Sequence, residues 1–335
     1  MAVVQTIIFN IGRIRMKEST TRKTAILNFT VASCVIFLCT NSFSLFFSGK
    51  KAIAQEISSV NEESKQNVAT DEEDVIAFDR RIKLASDLDN KKFAVTLHRP
   101  NYFLPLTYND NPNVKTYEQA DQDIPNNYEA KFQLSIKMLL WDNIFENNGD
   151  LYGAYTQLSL WQIYNKSSPF RETNYEPELF LQFDTDFNIY GLRNRLFIVG
   201  INHQSNGQGG DFSRSWNRLF IEFVAERGNF VIGLKPWYRI PESDEDDDNP
   251  DIDKYLGYGQ LVGAYRWKKN VFSFTFRNNL RFNENKGSLE IGWSYPLTNN
   301  LRVYLQYYNG YGESLIDYNN YTNRIGCGIM INDWI

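Results

Sequence analysis

From about Lys92 to the end of the chain, apolar and polar side chains alternate with a period of two. Successive side chains of a β-strand point to opposite faces, so such a period selects strands and excludes amphipathic helices. In 131–140, Phe132, Leu134, Ile136, Met138 and Leu140 face one way and Lys131, Gln133, Ser135 and Lys137 the other. Phe272, Phe274 and Phe276 oppose Ser273, Thr275 and Arg277, and Leu289, Ile291, Trp293 and Tyr295 oppose Ser288, Glu290 and Ser294. Leu301, Val303, Leu305 and Tyr307 oppose Arg302, Tyr304 and Gln306. A soluble β-sandwich also alternates, with its apolar face inside, so the pattern alone does not say which face meets water.

Connection lengths separate the two architectures. Twelve strands are expected near 99–107, 129–141, 151–164, 177–187, 192–204, 214–226, 229–240, 254–268, 270–282, 287–297, 300–310 and 321–333. Connections at 227–228, 267–270 and 297–300 are tight, whereas those at 165–176, 206–213, 242–253 and 311–320 are longer. Long and short connections in turn, with an even strand count, fit a twelve-stranded antiparallel transmembrane β-barrel. Trp141, Trp161, Trp216, Trp237, Trp267 and Trp334 lie near strand ends, as expected of interfacial girdles.

The N-terminal region fits export to such a location. Arg13, Arg15, Lys17, Arg22 and Lys23 precede an apolar stretch over 25–47, and Ala52-Ile53-Ala54 supplies a small-x-small cleavage pattern. Residues 1–54 therefore read as a signal peptide, with Met16-Lys17 as a more ordinary start. Residues 55–92 read as a flexible acidic periplasmic lead, with a short helix around 75–88, and residues 93–335 as the barrel domain. Removal of the signal takes Cys34 and Cys39 with it, so Cys327 has no intrachain disulfide partner. No stretch after the signal is long and apolar enough for a membrane helix. The net charge of −5 argues against a nucleic-acid partner and leaves the outer-membrane bilayer as the expected surroundings.

One strand carries reactive groups on its greasy face. Phe197, Val199, Ile201, His203 and Ser205 share a parity. On the following strand Asn217, Leu219, Ile221 and Phe223 share another, opposed by Arg218 and Glu222. A hairpin symmetric about Gly210 pairs residue 203 with residue 217, with Cβ atoms roughly 4.5–5.5 Å apart. Serine is a weak nucleophile until a base takes its proton, and the base needs an orienting group on its other ring nitrogen. An Asn carbonyl oxygen can orient it, as in Cys-His-Asn proteases, without setting an anion at the membrane surface. The chain has two histidines, and His98 precedes the main strand array. The blander alternative is that Ser205 and Asn206 merely open a turn. Arg193 and Arg195 share the parity of His203, so either they snorkel to head groups or a bulge turns them inward.

At these residues the chain resembles the outer-membrane phospholipase A family. The resemblance lies in Asn202-His203-Gln204-Ser205-Asn206-Gly207 and Ser213-Arg214-Ser215-Trp216-Asn217-Arg218-Leu219. It lies also in 167–177 (Ser-Ser-Pro-Phe-Arg-Glu-Thr-Asn-Tyr-Glu-Pro), Lys235-Pro236-Trp237-Tyr238 and 310–318, and it covers roughly Phe93 to the C-terminus. The resemblance implies calcium-dependent hydrolysis of sn-1 and sn-2 acyl esters of phospholipids and lysophospholipids, with Ser205 as nucleophile, His203 as base and Asn217 as orienter. It further implies the Gly207 amide in the oxyanion hole and an active homodimer with Gln157 at its interface. Calcium (Ca2+) would be held by the Ser167 hydroxyl, the main-chain carbonyls of Gln208 and Ser213, and Asp248. Two departures stand out: Gln208-Gly209-Gly210-Asp211 replaces a more basic, less Gly-rich loop, and the chain ends Trp334-Ile335 rather than on an aromatic residue. Competing readings are a lipid A deacylase, which is a smaller barrel, and a passive outer-membrane channel lined or closed by Lys137, Arg218, Glu222 and Arg302.

Overall fold

A computed structural model describes residues 93–119 and 123–332. The expected signal peptide, the acidic lead with its helix near 75–88, and Trp334-Ile335 lie outside the described residues. The strands are β1 (Val95–Leu97), β2 (Asn101–Asn109), β3 (Tyr128–Trp141), β4 (Asp150–Trp161), β5 (Phe170–Ile189), β6 (Leu192–Ser205) and β7 (Ser215–Arg227). They continue with β8 (Phe230–Ile240), β9 (Gly259–Trp267), β10 (Asn270–Asn278), β11 (Gly287–Pro296), β12 (Arg302–Tyr311) and β13 (Tyr321–Asn332). Two short helices, α1 (Val114–Gln119) and α2 (Asp253–Leu256), and a 3-10 turn (Gly210–Phe212) sit in connections.

Each strand from β2 to β13 pairs antiparallel with the next, and β13 pairs with β2, closing the sheet. β1 prolongs the line of β2 along β3, since Leu97 opposes Ile136 and Tyr102 opposes Gln133. The break falls at 98–100, where Pro100 offers no N–H to the ladder. The wall therefore has twelve staves, the first interrupted. Connections 110–127, 162–169, 206–214, 241–258, 279–286 and 312–320 gather at one end. Those at 190–191, 228–229 and 268–269 at the other end are two residues long.

Exposed Val95, Leu134, Leu179, Ile201, Leu234, Ile291 and Ile325 lie on the outer face. The inner face is charged and buried. Toward the long-loop end, Arg171 bridges Glu129 at 3.0 Å and Asp317 at 2.8 Å, and Arg324 bridges Glu129 at 2.6 Å and Glu313 at 2.8 Å. Lys131 adds a 3.0 Å bond to Glu313. A second group joins Arg99 to Glu176 at 2.9 Å and Glu178 at 2.8 Å, with Lys235 on Glu178 at 2.7 Å and Arg218 on Glu176 at 3.0 Å. Buried charges persist only when paired and hydrogen-bonded, which is the state of every member named here. The 312–320 connection folds into the mouth, where Glu172 and Asn174 accept from the amides of Ile316 and Leu315. Burial alone would push the Glu313 carboxyl up, yet Arg324 and Lys131 hold it below its ordinary value. Members of both clusters line a cavity of about 150 Å3.

Three expectations are corrected and one open alternative is decided. β5 begins at Phe170 rather than near 177, because Arg171, Glu172, Asn174 and Glu176 are inward-facing strand residues and not a polar loop. The stretch before β9 is helix α2 and a turn rather than strand from 254. Trp216 and Trp237 are buried inside the barrel, rings edge to face at 6.1 Å, whereas Trp141 and Trp267 are exposed as girdle residues should be. The parity that turns Asn217 outward necessarily turns Trp216 inward. The open question of Arg193 and Arg195 resolves in favour of a bulge. Asn194 opposes Ala225 and Leu196 opposes Val224, leaving Arg195 unmatched in the ladder. Arg193 then opposes buried Glu226, and Arg195 bonds that same carboxylate at 3.0 Å.

Candidate active site

The β6–β7 hairpin has the register expected from its symmetry: His203 opposes Asn217, and Ser205 opposes Ser215. His203 Nδ1 lies 2.9 Å from Asn217 Oδ1. An amide oxygen only accepts, so Nδ1 carries the proton and Nε2 keeps its lone pair. Ser205 stands two residues beyond His203 on the same outer face, flanked by Tyr175 of β5 and Ser215 of β7. Among the described residues no hydrogen bond joins its hydroxyl to His203. Such contacts in ligand-free enzymes are often long and tighten around substrate.

The intervening residues fasten these strands from within. Asn202 donates to Glu176 at 2.8 Å, and Gln204 accepts from the Trp216 indole at 2.8 Å. Arg218 bonds Glu176 and Asn202 and lays its guanidinium over the Trp216 ring at 4.1 Å. Buried hydrogen-bonded groups thus fix the backbone that aims His203, Ser205 and Asn217 outward. One face holds the hairpin and the other presents the three candidate residues.

The loop after Ser205 is equally constrained. Asn206 is buried and donates to the Phe212 carbonyl at 2.8 Å, while its side-chain oxygen accepts from the amides of Gln208 and Arg214. Gly207 follows with φ +65°, and a Cβ there would stand 3.0 Å from the Tyr175 ring. Both the left-handed backbone and that close approach call for glycine.

The expected calcium donors lie on three neighbouring connections at this same end. Ser213 donates its hydroxyl to Asp248 at 2.6 Å. Gln208 turns its side-chain amide to Glu172 at 2.9 Å. Ser167 is exposed in the 162–169 connection, and among the described residues no hydrogen bond joins it to Gln208, Ser213 or Asp248. The Arg214 guanidinium donates to the carbonyls of Asp211 and Ser213, at 2.9 and 2.5 Å. Among the described residues no three His, Cys, Asp or Glu side chains gather as a metal cluster. Hydroxyl, carbonyl and carboxylate oxygens form a donor set that fits a hard cation; the Ser213 hydroxyl meets Asp248, while the Ser213 carbonyl accepts from Arg214.

Gln157 lies on the outer face of β4, opposing Leu134 and Tyr175. It accepts from the Tyr155 hydroxyl at 3.1 Å and donates to Ser159 at 3.2 Å, and Ser159 continues to Thr173. This polar row, like the His203–Asn217 cluster, interrupts a mostly apolar exterior.

Sequence reasoning missed Glu242, whose Oε1 accepts from Asn217 Nδ2 at 2.8 Å. A signal was available. Ile240 opposes Asn217, and residue 242 shares its parity one step nearer the rim, within diagonal reach for a long side chain.

Known proteins resemble this chain in sequence and in fold. The profile of the Phospholipase A1 family matches residues 78–331. Phospholipase A1 of Salmonella typhimurium is 50% identical over 207 residues, covering 61% of this chain and 70% of the relative. That of Klebsiella pneumoniae is 43% identical over 255 residues, covering 75% of this chain and 86% of the relative. The solved outer membrane phospholipase A of Escherichia coli superposes with a TM-score of 0.68 at 44% identity, over 72% of this chain and all of that one (100%). The dimer from Salmonella typhi with bound calcium gives a TM-score of 0.67 at 42% identity, over 74% of this chain and 96% of that one.

Proposed function

The chain belongs to the phospholipase A1 family, and from that premise we propose that it hydrolyses sn-1 and sn-2 acyl esters of phospholipids and lysophospholipids through a Ser205–His203–Asn217 triad on the barrel's outer face. It is an ester-hydrolysing enzyme of the bacterial outer membrane, built as a twelve-stranded β-barrel. The observation that carries the triad is the 2.9 Å bond between His203 and Asn217, on the same outward face as Ser205.

A phospholipid in the outer leaflet brings its ester to the rim without leaving the bilayer. Ser205 Oγ attacks the carbonyl carbon as its proton passes to His203 Nε2, while Asn217 Oδ1 holds the Nδ1 proton. The tetrahedral oxyanion meets the Gly207 amide. Collapse breaks the ester C–O bond, and His203 returns its proton to the departing lysophospholipid oxygen. Water, deprotonated by the same imidazole, then attacks the acyl-enzyme, and the fatty acid leaves with Ser205 restored. Loss of one oxyanion donor typically costs roughly 10²–10³ in rate.

Ser167, Gln208, Ser213 and Asp248 would hold calcium. When bound, it would supply positive charge for the developing oxyanion. The calcium-bound dimer of the Salmonella typhi relative supports both this assignment and a working homodimer. Gln157 on the exposed face of β4 is the polar contact proposed for that dimer. The paired charges inside the barrel favour an enzyme on a closed scaffold over a channel. The test is hydrolysis of a defined phospholipid in detergent micelles, with and without chelator, by the wild type and Ser205→Ala. Loss of hydrolysis in Ser205→Ala and with chelator supports the reading, and full activity in Ser205→Ala ends it.

A further inference from the structure

We propose that Glu242 completes the relay behind the triad, as a positioning residue that holds the Asn217 amide in one orientation and lends it negative charge. The inference rests on the triad reading. An amide side chain can present either its oxygen or its nitrogen to a neighbour, and only the oxygen can orient a base that keeps its proton on Nδ1. A carboxylate accepts and never donates when ionised, so Glu242 Oε1, 2.8 Å from Asn217 Nδ2, fixes the nitrogen on its own side. The oxygen then faces His203 Nδ1 at 2.9 Å, and His203 Nε2 is left to take the serine proton. A serine triad built on asparagine lacks the anion that stabilises the imidazolium. Here the anion sits one hydrogen bond further out, at the rim, where head groups and water solvate it.

The surroundings single out Glu242 in an acidic connection. It is half-buried, whereas Ser243, Asp244, Glu245 and Asp246 are exposed. Five neighbouring charged side chains have partners other than Glu242. Asp246 accepts from Ser243 and Asp248 from Ser213, Arg239 pairs with Asp247 at 2.6 Å, and Arg214 bonds main-chain carbonyls. Glu242 also follows Pro241, and Ile240 is the direct cross-strand partner of Asn217. The carboxylate thus hangs from the end of a paired strand.

The experiment compares the full-length wild type, Glu242→Ala, Glu242→Gln, Asn217→Asp, the double variant Asn217→Asp/Glu242→Gln, and Ser205→Ala on phosphatidylcholine in micelles with calcium. Glu242→Ala should lower kcat about tenfold, the worth of one hydrogen bond of about 1.4 kcal/mol, with KM changed less than about twofold. Loss of the anion makes the imidazolium easier to deprotonate, so the acid limb of the kcat profile should move to lower pH by roughly 0.3–0.7 unit. Glu242→Gln keeps an acceptor for Asn217 Nδ2 without the charge, so it should lose less rate but show the same direction of shift. Asn217→Asp sets two carboxylates against each other, and Glu242→Gln in that background should recover activity about tenfold. A Glu242→Ala protein with wild-type kcat and an unmoved acid limb, beside an inactive Ser205→Ala, overturns the role of Glu242 alone. An active Ser205→Ala overturns the triad and this inference with it.

Discussion

The chain's two imidazoles sit on opposite faces of one wall. His98, in the break between β1 and β2, turns inward, with Nε2 3.1 Å from the Glu178 carboxylate and its ring stacked on Phe180 at 5.5 Å. His203 turns outward and has an amide for its partner. Judged by partner alone, His98 is the stronger base candidate, because a carboxylate stabilises imidazolium better than an amide does. It is nevertheless a structural residue, since Glu178 is shared with Arg99 and Lys235 and the whole group faces the closed interior. What distinguishes the proposed base His203 is access to the bilayer and a hydroxyl two residues away. The carboxylate it lacks at first hand is supplied through Asn217 by Glu242.

The comparison breaks most visibly if the two histidines are exchanged in importance. Replacing His203 or Ser205 by Ala should cut phospholipid hydrolysis at least about 10³-fold while leaving a folded barrel, checked by kinetics and circular dichroism on the same preparation. His98→Ala should retain activity within about threefold and instead lose about 1–3 kcal/mol of stability, read as a lower denaturant midpoint in vesicles. The reverse pattern would mean that the inward imidazole is the base. The interior network sharpens the contrast further. Arg171→Ala removes the ion-pair partner of buried Asp317 and leaves Glu129 with Arg324 alone, and should destabilise the barrel by about 3–5 kcal/mol with kcat per folded molecule little changed.

Asn217→Ala occupies the middle of the range. In the proposed triad it removes the group that orients His203 but spares nucleophile and base, so the expected loss is about 10- to 10²-fold in kcat, measured alongside Ser205→Ala in the same micelles. A loss as large as that of Ser205→Ala would mean that the amide does more than orient.

The outer face was more legible than the inner one. Alternation locates all twelve staves because lipid demands a continuous apolar exterior, and Leu134, Ile201 and Ile291 meet that demand strand after strand. The same rule, carried across the hairpin centre, pairs His203 with Asn217. Inward residues answer only to one another, so their pattern resembles a loop. Arg171, Glu172, Asn174 and Glu176 read as a polar connection, yet they form the first turns of the longest strand because Glu129, Asp317, Arg218 and Arg99 lie across the interior to meet them. Those partners come from the break between β1 and β2, from β3 and β7, and from the 312–320 connection, and no local window contains them. The bulge at Arg195 was hidden for the same reason, since it is set by distant Glu226. Glu242 was obscured differently, by lying in a run of carboxylates whose ordinary role is to be solvated.

The smallest expected effect concerns the rim rather than either face. Asp248 accepts a hydrogen bond from Ser213 at 2.6 Å, and an asparagine oxygen at that position could accept it too. Asp248→Asn should therefore keep the loop in place and remove one negative charge from an exposed oxygen set, where solvent weakens each pairwise attraction. The calcium concentration giving half-maximal activity should rise no more than about tenfold, with kcat at saturating calcium unchanged. Calcium titrations of both proteins at two ionic strengths check this. The gap between them should narrow in high salt if the carboxylate acts mainly by charge. A kcat that stays low at saturating calcium would instead tie Asp248 to the geometry of Ser213 and, through the paired hairpin, to Ser205 itself.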